Sequence, residues 1–213
     1  MLVALIAACA AVQSEPSTVP VEAAYRAEVW ADNWFAMYIG DELVKEDSVP
    51  ITTERSFNAE RFGFDAQPGT VLSFVLKDFK QTDSGLEYIG RRNQQMGDGG
   101  FIAQVTHQAT DQEVLVSSGD WKCLTIHTAP LNKECVSSPT PDEDCRFTER
   151  EAPAGWTDPA FDDSSWAPAT VHTKTAVSPK GGYDQINWSP RAQFIWGDDL
   201  QSDNTVLCRV TLP

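Results

Sequence analysis

Groups able to do chemistry are plentiful in this chain, and their spacing decides which could act together. Adjacent carboxylates stand at Asp162-Asp163 and at Asp198-Asp199. Glycoside hydrolysis needs two carboxyls facing each other across a cleft, one of them with a raised pKa. Neighbouring acids on a strand or turn point apart instead, so neither pair meets that need by itself. The three histidines, His107, His127 and His172, are spread along the chain and could share a metal only if the fold gathers them. There is no G-x-S-x-G elbow, no H-E-x-x-H helix, no phosphate loop and no dinucleotide fingerprint. The expectation is a chain that binds rather than turns over, with no catalytic residue nominated and an unrecognised hydrolase as an alternative.

Bulk charge narrows the partners. The 213 residues carry 31 acids against 16 bases, a formal net charge of −15. Such a surface repels phosphate backbones and anionic lipid headgroups, which argues against nucleic-acid binding and against an electrostatic hold on a membrane. Dispersed acids keep a protein soluble; the sharper alternative is an exterior adapted to calcium or salt. The length suits one large β domain or two small ones and is enough to bury a sizeable core.

The first residues read as an address. Met1 to Val12 (MLVALIAACAAV) carries no charge and is nearly all apolar, and Gln13 to Pro20 is polar and proline-bearing. That pattern is a signal-peptide core, too short to span a bilayer as a stable anchor. Leu5-Ile6-Ala7-Ala8-Cys9 also resembles a bacterial lipobox, whose cysteine is lipidated after cleavage and would tether the chain through Cys9. The expected division is a leader and short tether over 1–20 and one folded domain over 21–213. The other four cysteines form an even set, which in an exported chain reads as two disulfides with three connectivities. Cys135 and Cys145 flank the polar loop VSSPTPDED, which favours that local pair and leaves Cys123 with Cys208. A zinc site would need closer ligand spacing than these four show.

The elements that must position these groups are strands. In ADNWFAMYIGDEL, residues 31–43, Trp34, Ala36 and Tyr38 fall on one face and Phe35, Met37 and Ile39 on the other. Gly40-Asp41 then turns the chain, and Glu42-Leu43-Val44 starts the return strand. Further β-rich runs are Phe62 to Ala66, Val71 to Phe79, Phe101 to Thr106, Val114 to Val116, Trp121 to Thr128 and Val206 to Leu212. No window of a dozen residues carries helical spacing, and many short strands between turn signals predict an all-β sandwich or closed β architecture. Asn132 to Pro153, polar and proline-rich, reads as an ordered, disulfide-braced excursion of a single domain.

At this point the residues resemble a known fold. ADNWFAMYIGDELV is similar to the "ADN-x-x-x-x-Y-x-NG-x-x-V" hairpin of galactose-binding-like jelly-roll modules. Those modules occur as sugar-binding domains of β-galactosidase-type glycoside hydrolases and at the N-terminus of α-L-rhamnosidases. QPGTVLSFVLKD, GGFIAQVT and VSSGDWKC resemble successive strands of the same modules, and GWTDPAFDDSSWAPA resembles their "GW-x-x-x-x-FDDSSW-x-x-A" segment. AQFIWGDDLQSDNTVLCRVTL is similar to a strand that in many of them precedes the ADN hairpin, whereas here it closes the chain. The resemblance runs from about Glu28 to the C-terminus; a second departure is Ile39, where the pattern has Asn before the turn glycine.

The resemblance implies a non-catalytic, exported carbohydrate-binding module, secreted or held at the cell surface, that meets glycans with loop aromatics at one end of the sandwich. The alternative is a structural or protein-interaction domain of the envelope that uses the scaffold without sugar contacts. Sugars stack on aromatic platforms while polar groups order their hydroxyls. Trp30, Trp34, Trp121 and Trp166 take core positions by strand placement, which leaves Trp156, Trp188 and Trp196 near loops. The expected ligand residues are Trp188, Trp196, Tyr183 and Asn187, with Arg91 and Arg92. A structural calcium ion, which such modules often hold, would take Asp162 and Asp163 as oxygen ligands; the rival reading has these acids capping a tight turn between Phe161 and Trp166. Asp32 and Asn33 are read first as turn and strand-edge hydrogen-bonders.

Overall fold

A computed structural model describes residues 23–53, 55 and 57–213. The expected leader over 1–20 and the Cys9 anchor lie outside the described residues. Two antiparallel sheets pack face to face into a β-sandwich. The six-stranded sheet runs β13 (Thr170–His172), β14 (Phe194–Trp196), β8 (Gly100–His107), β1 (Ala23–Asp32) and β4 (Ala59–Ala66), with β9 (Gln112–Val116) also on β8. The seven-stranded sheet runs β11 (Thr148–Glu149), β10 (Lys122–Thr128), β15 (Asp203–Thr211), β5 (Val71–Lys77), β2 (Trp34–Ile39) and β3 (Glu42–Glu46), with β12 (Ala167–Pro168) also on β10. A small ladder pairs β6 (Leu86–Glu87) with β7 (Gln95–Met96).

Period-two alternation sorts the side chains. Tyr25, Val29, Phe101, Val105, Phe35, Met37, Phe74 and Val206 fill the space between the sheets. Gly40, at φ +56°, supplies the left-handed turn residue that closes the β2–β3 hairpin without an Asn ahead of it. Asp41 accepts a hydrogen bond from the Thr157 hydroxyl at 2.7 Å, so the hairpin tip is tied to the segment after Gly155.

That segment covers the outer face of the seven-stranded sheet. Arg209 points out from β15, is 2% exposed, and donates to Asp163 Oδ2 at 2.8 Å and to the carbonyls of Trp156 and Asp158. The Phe161 ring lies 5.3 Å from its guanidinium carbon, and Trp156 and Trp166 stack at 6.3 Å. FDDSSW is thus the strap and Arg209 the nail. Asp162 caps the turn by accepting from the Ser164 amide at 3.0 Å. Among the described residues neither acid of this pair lies in a group of potential metal ligands: Asp163 already holds a guanidinium, and Asp162 faces solvent on its turn.

Both expected disulfides are present. Cys123 and Cys208 face each other across β10 and β15 with Cα atoms 4.2 Å apart, and Cys135–Cys145 braces the excursion. Two disulfides suit an oxidising, extracytoplasmic compartment. No helix among the described residues is long and apolar enough to cross a membrane.

Candidate functional site

Two places in the sandwich combine exposed access or unmet polarity with groups able to hold a ligand. The first lies on the free edge of β10. β12 pairs with Lys122 and Cys123, and β11 with His127 and Thr128, so residues 124–126 between them have no ladder partner on that side. The Arg150 amide donates to Ile126 O at 2.9 Å and Arg150 Nε to Thr125 O at 2.9 Å, which covers two of those carbonyls without a strand. Beside this edge opens a groove of about 740 Å³. Its walls include Thr125, Glu149, Arg150, Ser165, Asp198 and Asp199.

The acids in the groove have different states. Asp199 is held below the ordinary carboxylate range: burial opposes ionisation, but hydrogen bonds from Lys133 and the Gln201 amide outweigh it. Asp203 is pushed up by burial, and both its oxygens are engaged, by the Thr128 hydroxyl and by the Asp199 amide, each at 3.0 Å. Its raised pKa would suit a general acid, yet a carboxyl with both oxygens committed inside the fold braces the loop. Asp198 accepts from the Thr170 hydroxyl at 2.7 Å, so the adjacent pair does point apart.

The second place is a buried centre of acids at the ends of strands. Asp32 closes β1, Asp78 follows β5, and Asp98 sits in the glycine-rich turn before β8. One carboxylate oxygen of each lies within 4.8 Å of the others. Asp32 is fully buried; Oδ1 accepts from Asn33 Nδ2 at 2.9 Å and Oδ2 from Lys180 Nζ at 3.3 Å. Lys180 also donates to Asp98. Asp78 is 2% exposed and neither of its oxygens has a hydrogen-bond partner; Glu87, equally buried, has one such oxygen. A Cβ on Gly97 would fall 1.7 Å from Asp78 Oδ2, so only glycine lets the turn close over this carboxylate.

Burial dominates the electrostatics here. It raises Asp32 to about 7, with the charge of Asp98 adding and Lys180 opposing, and it raises Glu87 to about 7. Asp78 is raised well above the ordinary value, by burial first and then by Asp32, Glu87 and Asp98. Burial would lower Lys180, but the negative charges of Asp32 and Asp98 outweigh it and hold the ammonium on.

No family model, curated protein or solved structure matches the chain.

The six residues nominated from sequence as ligand contacts are not brought together. Trp196 has no exposed surface: it packs in the main core and donates its indole N–H to Asp203 O at 2.7 Å. It nevertheless borders the β10 groove beside Gly197 and Asp198, because β14, between β13 and β8, carries it to the groove floor. Tyr183 and Trp188 stack on each other at 5.7 Å, half-buried, and join Trp30 and Phe194 on that sheet's outer side. Asn187 is exposed beside them. Arg91 and Arg92 line a separate hollow of about 450 Å³ with Gln94 and the loop after Val136. The histidines also stay apart: His107 edges Tyr25, His127 is buried against Asn204, and His172 meets Gly197 O.

Proposed function

We propose that this chain is an exported, non-catalytic jelly-roll module of the galactose-binding-like kind, and that it holds a carbohydrate in the groove along β10. The groove supports the reading best. Its volume falls within the range of small-ligand sites, roughly 300–1,000 Å³. Hydroxyls, carboxylates and a guanidinium converge on it, and these are the partners a polyol needs. Binding is favoured over turnover by the state of the acids, since Asp203 spends both oxygens on the protein itself. Of the residues expected from sequence to meet a ligand, the groove walls include Trp196 but none of Trp188, Tyr183, Asn187, Arg91 and Arg92.

A glycan array followed by calorimetry tests this. Saturable binding of a neutral or anionic oligosaccharide is expected, weakened about tenfold or more by Glu149→Ala with Asp198→Ala. Arg91→Ala with Arg92→Ala leaves it intact. Silence across the array would sink the carbohydrate reading and favour an envelope protein as the partner, with the β10 edge as the place to look.

A further inference from the structure

From the Asp32–Asp78–Asp98 geometry we infer a calcium site in which Ca2+ replaces the Lys180 ammonium as the counter-cation of the buried acids. The inference is independent of the groove and of the carbohydrate reading.

Three observations carry it. First, the donors are hard carboxylate oxygens gathered within 4.8 Å of one another, which a coordination sphere of about 2.4 Å Ca–O distance spans, and an all-carboxylate protein cage suits Ca2+ better than Mg2+, which keeps several waters. Second, Asp78 is almost wholly buried with two unpartnered oxygens, and Glu87 adds a third unpartnered oxygen close by. A buried carboxylate without donors is costly unless it neutralises or meets a cation. Third, the resident cation is insufficient and removable. Lys180 reaches Asp32 and Asp98 but makes no hydrogen bond to Asp78, and its side chain is 36% exposed. Asp98 is similarly accessible, at 37%, so an ion can enter by the path the lysine leaves. With four acids and one lysine, a divalent ion in place of the ammonium brings the centre one charge closer to neutrality. The displaced lysine retains Phe57, whose ring centroid lies 5.6 Å from Nζ, as an outer contact.

The structure also supplies a probe. The Trp196 ring packs against Gly99, one residue from Asp98: a Cβ at that glycine would meet the indole at 2.4 Å. Terbium, a calcium surrogate with the same oxygen preference, would sit near enough for excitation through tryptophan. The chain, stripped with EGTA, is titrated with Tb3+ and with Ca2+, and its melting temperature is read with and without millimolar Ca2+. Saturable Tb3+ luminescence that Ca2+ competes away is expected, with a midpoint between about 10⁻⁵ and 10⁻³ M and a rise in melting temperature on adding Ca2+.

Two variants give opposite signs. Asp78→Asn abolishes both responses, yet in EGTA it melts no lower than wild type because it replaces a buried carboxyl that no donor satisfies with a neutral side chain of the same shape. Lys180→Met strengthens Ca2+ binding by about tenfold, because the competing ammonium is gone. Asp98→Asn, at the half-exposed position, repeats the loss should Asp78→Asn not fold. Absence of saturable Tb3+ luminescence in the wild-type chain overturns the proposal, and so does a Ca2+ response that survives Asp78→Asn. Weaker Ca2+ binding in Lys180→Met overturns the exchange.

Discussion

Two buried charge centres in this protein are built on opposite terms. Arg209, on the outer face of the seven-stranded sheet, meets Asp163, two carbonyls and an aromatic ring, and its charge is answered on every side. Asp78, at the end of the neighbouring strand β5, sits among Asp32, Asp98 and Glu87 with no donor on either oxygen. Both groups are 2% exposed, so burial does not distinguish them. What distinguishes them is satisfaction. A buried charge with all its partners in the chain is a structural fastener, whereas one without them is either neutralised or waiting for something the chain does not contain. The sequence resemblance drew attention to the acids of the first centre as metal ligands; the unmet polarity lies in the second.

The largest expected effect comes from breaking the satisfied centre. Arg209→Met strands Asp163 and frees the Trp156–Trp166 strap, and should cost about 3–5 kcal/mol in urea denaturation. Because the strap owes its position to that guanidinium, the variant should also be cut first between 153 and 166 under limited proteolysis, before global unfolding. A loss under about 1 kcal/mol, with the strap still protected, would mean the aromatic contacts alone hold it and the contrast is overstated.

How much of this was legible follows from which rules are local. Strand alternation is local, so the two faces of ADNWFAMYIGDEL and the turn at Gly40 can be read directly, but not which face is core. Trp34, expected there, is half-buried on the outer face under Lys77, and Phe35, Met37 and Ile39 face the main core instead. The disulfides were legible because four cysteines leave few options and one pair flanks a short loop. β1 is less legible: its first half, Ala23 to Ala27, carries no strong strand signal, although among the described residues β1 is the longest strand and pairs on both sides. Trp196 misled because β14 is only three residues long, and its flanking Gly197-Asp198 reads as loop. The acid centre was illegible for a different reason. Asp32, Asp78, Asp98 and Lys180 come from four separate segments, and only the packing of strand ends brings them together. The faint signals were an acid directly after the apolar run VLSFVLK and another inside GDGG.

Asp47 sharpens the comparison as an intermediate case. One of its oxygens accepts from the Val49 amide at 2.9 Å and the other is buried without a partner. Burial raises its pKa from 3.8 to about 6, with Glu60 adding to the rise and Lys45, Asn58 and the Val49 amide opposing it. The folded value exceeds the unfolded one, so the fold prefers the protonated form. The stabilisation that follows is complete below pH 3.8 and is lost as pH rises through about 6. Asp47→Asn has no such charge. Its stability relative to wild type should therefore climb by an amount on the order of 2–3 kcal/mol across that window, followed by denaturation at several pH values. A difference that stays flat with pH would place Asp47 with the satisfied groups.

The smallest effect is expected at Asp162, and it separates the two acid groups most cleanly. Its carboxylate lies in solvent, accepts the Ser164 amide, and is held below the usual range by hydrogen bonds from Ser164. Such a cap acts on one turn and touches neither Arg209 nor Asp78. Asp162→Ala should shift the melting temperature less than any other variant considered above. It should also leave Tb3+ luminescence and the Ca2+ response at wild-type levels, while Asp78→Asn removes both. Were Asp162→Ala instead to weaken the Ca2+ response, the ion would have to be at FDDSSW, and the absence of donors around Asp78 would then mark an acid kept neutral by its surroundings.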